Sequence, residues 1–411
     1  MGKIGEYGDL VSIKRGPFDP GGQPTVDSSN DLWLGLFAWN ANSGCTASRA
    51  TLRHPDGGQQ IWRWDNASQL LQQADRMGLE FHLAAARWIG HGGESRFHES
   101  FLEALSATPA AAAITENILG LATGHVTYGF HPMHFAKFGA TVDHISGGRW
   151  GLNIVTGWVA DEQAMFGQQF SDHEMRYDMA DEFITLVKWA WSSEKPFSFE
   201  GDYFTSHGAI IDPKPTRKPR PFLVNAGSSP TGIDFAAKQC DWLFCLGDLA
   251  TVRAAADMLD ECAHSYRRKV ESFTFAWLLI ADTDAEADAL YREIVDEIDE
   301  EATDTFLLRG MQGSQSGRTG RTAGEIGQTF QIPEGVSLRQ ALGEERYLAT
   351  AIGLGGKHII GSPETVAGQL LELHMAGRQR GVMLSFFDYF DGLARLERDV
   401  LPILKKMGVR Q

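Results

Sequence analysis

Cysteine is scarce in this chain: four in 411 residues (Cys45, Cys240, Cys245, Cys262), with no CxxC pair and no matching histidine pattern. That scarcity argues against a disulfide framework and a zinc site, so no metal is expected and a reduced, cytoplasmic setting fits. Excess positive charge is also missing. The formal net charge is −16, which disfavours nucleic acid and anionic membrane surfaces as partners. There is no run of about 18 apolar residues, and no charged segment followed by an apolar one opens the chain, so neither a membrane span nor a signal peptide is expected. No GxGxxG follows the first expected strand, which weakens the case for a dinucleotide-binding sheet.

What is present is ordinary globular composition, 43% hydrophobic and 22% charged, ample for a large core. Residues 1–30 are rich in Gly, Pro, Asp and Ser without periodicity and read as an N-terminal arm; residues 406–411 read as a C-terminal tail. Between them, over 31–405, short apolar runs alternate with helical stretches. Strands are expected at 32–39, 80–86, 118–123, around Asn153, and at 222–226, 242–246 and 274–281, with 358–361 and 382–386 completing the pattern. Helices are expected at 67–77, 100–113, 132–146, 177–191, 232–239, 249–264 and 286–301. About eight strand–helix units predict an α/β fold, a single (β/α)₈ TIM barrel. Two insertions interrupt it. Residues 192–221 hold a hairpin-like Phe197-Ser198-Phe199-Glu200-Gly201-Asp202-Tyr203-Phe204 and five prolines. Residues 307–357, rich in Gly, Ser, Gln, Arg and Thr, read as a mobile lid or a variable surface loop, in which Arg318 and Arg321 could close over the site. The acidic run at 296–301 reads as a solvated helix face.

The most informative stretch is 146–158, Ser-Gly-Gly-Arg-Trp-Gly-Leu-Asn-Ile-Val-Thr-Gly-Trp. A short apolar run bounded by glycines reads as a buried parallel strand. Asn153 inside it must find a partner or accept a desolvation cost of roughly 1–3 kcal/mol. It therefore either faces a ligand or bonds a neighbouring backbone.

The stretch 143–158, followed in order by Asp161-Glu162, His173, Arg176-Tyr177, the 199–204 segment, Pro213-Lys214-Pro215, Ala226-Gly227-Ser228-Ser229 and Phe386-Phe387-Asp388-Tyr389-Phe390, resembles the bacterial luciferase-like flavin-dependent monooxygenases. Within them it is most similar to the pyrimidine and dimethyl-sulfone monooxygenase branch. The resemblance covers roughly 31–405. It implies a two-component enzyme that takes FMN as FMNH2 from a separate NAD(P)H:flavin reductase and uses O2 as co-substrate. It would oxygenate or ring-open a small N-heterocycle or cyclic amide through a flavin peroxide or a flavin N-oxide. The alternatives are a dimethyl-sulfone or other organosulfur monooxygenase of the same family, a deazaflavin-dependent hydride-transfer oxidoreductase, and a non-enzymatic flavin-binding protein. Relatives imply a homodimer or homotetramer.

The resemblance also implies residue roles. Asn153 and Thr123, with Leu83 and Trp158 beside them, would form the flavin and oxygen pocket. Ala86 and Arg87, standing where the pyrimidine enzyme has Ile-Lys, would lie along the flavin with Glu162. Arg176, Tyr177, Ser228 and Ser229 would bind the phosphate, for which a helix N-terminus and an Arg fork are suited. Each has a plainer reading: Thr123 a strand residue, Leu83 and Trp158 core, Glu162 a solvated loop acid, Ser228 an N-cap, and Arg176 an ion pair with Glu174 or Asp178. His98, His131 and His134 lie in mouth segments and suit either acid–base work at neutral pH or a structural role. Trp33, Phe37, Trp39, Trp88 and Trp158 would give an aromatic pocket for a planar ring.

Overall fold

A strand buried on both faces must carry apolar side chains at every position, and a barrel assigns the two faces to different cores. The structure, a computed structural model, describes residues 9–11, 17–26, 28–314, 332–333 and 335–411. Its strands are β1 (Asp9–Val11), β2 (Trp33–Phe37), β3 (Phe81–Ala84), β4 (Leu119–His125), β5 (Trp150–Val155), β6 (Phe197–Glu200), β7 (Thr205–Ala209), β8 (Phe222–Asn225), β9 (Trp242–Cys245), β10 (Glu271–Ile280), β11 (Lys357–Gly361) and β12 (Gly381–Phe386). Eight of them, β2, β3, β4, β5, β8, β9, β10 and β12, pair in parallel in that order and close into the expected TIM barrel. The insertion strands β6 and β7 form an antiparallel pair, and β1 adds to β6.

Outward residues such as Leu34, Leu36, Leu152, Ile154 and Leu384 pack beneath the helices, while inward residues fill the barrel. At its N-terminal end Trp33, Phe81, Phe222, Trp242 and Phe273 interlock, with ring centroids of Trp242 and Phe273 4.6 Å apart and Phe222 and Trp242 5.0 Å apart. Gly35 makes room for this plug, since a Cβ there would lie 2.3 Å from the Phe81 ring. The barrel is thus sealed below and open only at its C-terminal mouth.

The helices are α1 (Trp64–Arg76), α2 (Ala104–Ala113), α3 (Pro132–Ser146), α4 (Ala160–Met165), α5 (His173–Ser192), α6 (Pro230–Gln239), α7 (Leu249–Ser265), α8 (Asp284–Asp296) and α9 (Glu300–Ser314), followed by a further long helix, Pro363–Met375, and by short ones. The helix expected at 286–301 is broken between α8 and α9. The acidic run there is not wholly solvated: Asp299 is buried and accepts from the Ser95 N–H at 2.7 Å. Gly93 permits this, because a Cβ there would meet the Asp299 carboxylate at 2.3 Å. Of the 307–357 insertion, α9, two short helices (Leu338–Leu342 and Glu344–Ala351) and β11 are ordered elements; Arg318 and Arg321 lie outside the described residues.

The chain ends are tied to the barrel where they are described. Phe18 stacks on Trp189, centroids 5.1 Å apart. Asp19 pairs with the buried cations Lys188 (2.9 Å), Arg220 (2.6 Å) and Arg268 (2.7 Å). Residues 406–411, read as a tail, run under the barrel: Arg410 is buried, pairs with Glu80 at 2.8 Å and donates to the Leu32 and Gly78 carbonyls. Burial alone would raise the Asp19 pKa, but its three cations hold it below the ordinary carboxylate value. Removing one partner from a buried cluster leaves uncompensated charge, so Asp19→Ala is expected to cost about 3–5 kcal/mol in urea unfolding. A loss under about 1 kcal/mol would show that Asp241, which also pairs with Arg220, suffices alone.

Candidate functional site

The site is built from inward residues that lie above the aromatic plug. On β4 and β5, Thr123 and Asn153 are register partners, so both point into the barrel at the same height. The Asn153 Nδ2 donates to Thr123 Oγ1 at 3.1 Å, and its Oδ1 is buried with no hydrogen-bond partner among the described residues. Asn153 therefore bonds a side chain, not the backbone, and keeps one acceptor unsatisfied. Around this pair lies a cavity of about 270 Å³, lined among others by Phe37, Leu83, Ala86, Arg87, His98, His125, Trp158, Ala226 and Phe306.

A second hollow of about 240 Å³ adjoins it and shares Val155, Trp158 and Ala226 as lining. It holds Arg176, Tyr177, Ser228 and Ser229. Ser229, not Ser228, caps α6, accepting from the Gly232 N–H at 3.1 Å; Ser228 is exposed beside it. The turn before α6 is held by Asn225, which donates to the Ile154 carbonyl (2.8 Å) and accepts from the Gly227 N–H (2.9 Å). A Cβ on Gly227 would come 2.3 Å from the Tyr177 hydroxyl. Arg176 donates to the Ser171 carbonyl at 2.7 Å and lies over the Phe170 ring.

Glu162 is neither a solvated loop acid nor part of the lining. It is fully buried, and its oxygens accept from the Trp88 N–H (2.8 Å), the Ile89 N–H (3.2 Å) and the Tyr128 hydroxyl (2.8 Å), with Arg87 Nη1 at 3.6 Å. Burial pushes its pKa up, but Arg87 and these donors bring it below the usual value, so it stays ionised. Its work is to fix the loop after β3 and to aim Arg87, whose guanidinium sits 4.3 Å above the Trp158 ring. Among the described residues the Arg87 Nε and Nη1 have no hydrogen-bond acceptor.

Other expected residues fall elsewhere. Trp33 belongs to the plug, and Trp39 packs outside the barrel, donating to His82 Nδ1 at 3.2 Å. Trp88 is 41% exposed and stacks edge-on against Phe166. His131 caps α3 and bonds the Thr205 carbonyl; His134 is exposed beside Phe138; neither lines the mouth. His98 does line it, with Nε2 bonded to the Gly44 carbonyl at 2.7 Å. The sequence reading missed His125, because it ended β4 at Thr123; period-two alternation carried two residues further would have found it. It also missed α9 as a roof. Phe306 enters the cavity, and Arg309 donates to the Gly90 carbonyl and to His91 Nδ1. Among the described residues no group of three or more His, Cys, Asp or Glu could hold a metal ion, and no helix is long and apolar enough to cross a membrane.

A parallel barrel with a two-part hollow at its C-terminal mouth is the form of a barrel enzyme. The family model for luciferase-like monooxygenases matches residues 45–380, and the chain belongs to that family. It is an enzyme that incorporates oxygen. It is similar to pyrimidine monooxygenase RutA of Pseudomonas syringae pv. syringae, 29% identical over 377 residues that cover 90% of this chain and 96% of the relative. It is also similar to the FMNH2-dependent dimethylsulfone monooxygenase of Pseudomonas putida, 28% identical over 348 residues, 84% and 89% of the two chains. Among solved structures, a riboflavin lyase with modified FMN and riboflavin has TM-score 0.79 and 24% identity, covering 93% of each chain. A long-chain alkane monooxygenase has TM-score 0.76 and 18% identity, covering 94% and 93%. These two share the fold.

The buried histidines give a pH prediction. Burial lowers His82 and His98 to about 3 and His125 to about 4. Below pH 6.5 the unfolded chain binds protons that the folded chain refuses, so stability is full above 6.5 and falls as pH drops toward 4. The expected loss between pH 7.5 and 5 is on the order of 2 kcal/mol per histidine, read as a lower urea midpoint. An unchanged midpoint at pH 5 would mean that the rings charge without opening the barrel.

Proposed function

We propose that this chain is an FMNH2- and O2-dependent monooxygenase of a two-component system, acting on a small N-heterocycle or cyclic amide. The observation that carries this reading is the Thr123–Asn153 pair, its buried Oδ1 unsatisfied among the described residues, in a hollow that continues past Val155, Trp158 and Ala226 into another. A planar ring and a phosphate on a flexible tether need that shape.

The residues fit the cofactor. The phosphate would lie against the N-terminus of α6, where free N–H groups and the helix dipole favour an anion. Ser228, Ser229 and Tyr177 would add hydroxyls and Arg176 charge. The ring would lie in the mouth cavity against Leu83, Ala86 and Trp158, with the Arg87 charge beside its polar edge. When bound, the reduced flavin supplies the electrons that activate O2. The protein binds, orients and keeps water out. Asn153 and Thr123 place a hydrogen-bonding pair where oxygen is handled. Phe306, Leu354 and Met383 wall the cavity with apolar surface. The reductase would be a separate protein. The dimethylsulfone relative keeps an organosulfur substrate as the second reading.

Two measurements test this. Anaerobic titration with FMNH2, then exposure to ¹⁸O2 with a panel of cyclic amides and sulfones, is expected to give labelled product. Asn153→Ala should lower kcat/KM by about 10²-fold, the usual loss for one preorganised polar group; unaltered turnover would remove Asn153 from the site. Gly227→Ala, which crowds Tyr177, should weaken FMN binding at least about tenfold. Equal affinity would mean that the phosphate lies elsewhere.

A further inference from the structure

β4 carries a polar group that none of the roles above uses. His125 ends the strand two residues beyond Thr123, on the same inward face, and is the register partner of Val155. It is 6% exposed, yet among the described residues neither ring nitrogen makes a hydrogen bond to the protein, and neither is a sealed interior atom. The ring is held by packing. It lies flat on Tyr128, centroids 4.3 Å apart and planes parallel, and Tyr128 is itself fixed by its bond to Glu162. His125 lines the mouth cavity and also a cleft of about 460 Å³ between α2 and α3, and so stands where the two meet.

Neighbouring polar atoms on this wall are already defined. Arg87 offers only donors, and the Thr123 hydroxyl already accepts from Asn153. Burial keeps the imidazole unprotonated against the pull of Glu162, and Arg87 adds to the effect. An unprotonated ring has one lone pair, an acceptor that, unlike the sealed Asn153 Oδ1, reaches the surface of the cavity.

We propose that His125 is a specificity-determining residue: its imidazole accepts a hydrogen bond from a ring N–H of the substrate, and so selects cyclic amides over N-alkylated amides and over sulfones. A sulfone presents two acceptor oxygens and no N–H, and would leave this acceptor unpaired. The proposal rests on the flavin monooxygenase reading above and narrows its substrate class.

The test supplies the full-length enzyme with FMNH2 from a generic flavin reductase and compares uracil, 1,3-dimethyluracil and dimethyl sulfone. Wild type is expected to favour uracil over the dimethyl compound at least about tenfold in kcat/KM, because a site built around a hydrogen bond rejects the analogue lacking it. His125→Phe keeps a flat ring on Tyr128 but no nitrogen; it should raise KM for uracil with a smaller change in kcat and bring the ratio near one. His125→Asn, which retains an acceptor, should restore part of the preference. A wild-type ratio within about twofold, whether both compounds react or neither does, overturns the proposal, and so does a His125→Phe ratio equal to wild type. If His125→Phe does not fold, the wild-type ratio and His125→Asn decide. FMN binding, titrated separately, distinguishes the cases: a chain that binds no FMN overturns the monooxygenase reading itself.

Discussion

β10 has to serve two neighbours along one edge, and the shape of the site follows from that. Residues Glu271–Thr274 pair with β9 and close the barrel, while Ala276–Ile280 pair with β11. Hydrogen bonds in a parallel sheet cannot be shared, so β9 ends after four residues and the barrel seals only in its lower half. There the inward positions are aromatic and interlock. Above them Leu83, Thr123, Asn153, Ala226 and Met383, beside Phe37 and Phe244, leave a space of about 270 Å³ unfilled. The sealed floor and the open mouth are two outcomes of one alternation, distinguished by side-chain size.

The mouth is organised by a charge that never touches its contents. Glu162, brought by α4, ties together the loop after β3, Tyr128 beyond β4, and Arg87. Burying a carboxylate is costly unless it is paired and hydrogen-bonded, and this one is both. The pairing sets the pose of Arg87 over Trp158, and through Tyr128 it sets the plane of His125. Burial, with Arg87 adding to it, disfavours a proton on His98 and His125, so the cavity around Asn153 presents the Arg87 cation among unprotonated rings. A similar economy holds at the barrel's outer side, where Asp19 joins the N-terminal segment to three cations from α5, the β8 approach and the β10 approach.

Much of this was legible along the chain. Strand positions were readable because parallel barrel strands are continuous apolar runs, and the 132–146 helix was read with its limits intact because His131-Pro132 begins it and Gly147 stops it. Asn153 stood out because a polar side chain in such a run needs a reason. Other residues were misread where the answer depends on what another element brings. Glu162 stands in sequence as a flavin contact by resemblance or a solvated loop acid, and nothing local says that the loop after β3 folds onto it. Trp33 and Trp39 look alike as aromatics on one strand, yet one faces the plug and the other leaves the barrel to meet His82. Asp299 sits in an acidic run and is buried because Gly93 leaves a space its size.

The sequence alone determined the barrel, the Thr123 and Asn153 strands, and the Ser-bearing turn into α6, since periodicity, glycine stops and capping residues act within a few positions of themselves. Only the tertiary structure decided which polar groups meet. It gave Asn153 a partner thirty positions away, put Glu162 behind Arg87 and left the His125 ring without a hydrogen bond among the described residues. The reason is physical: hydrogen bonds and ion pairs are satisfied across space, and strand closure, not chain order, sets the distances over which they act.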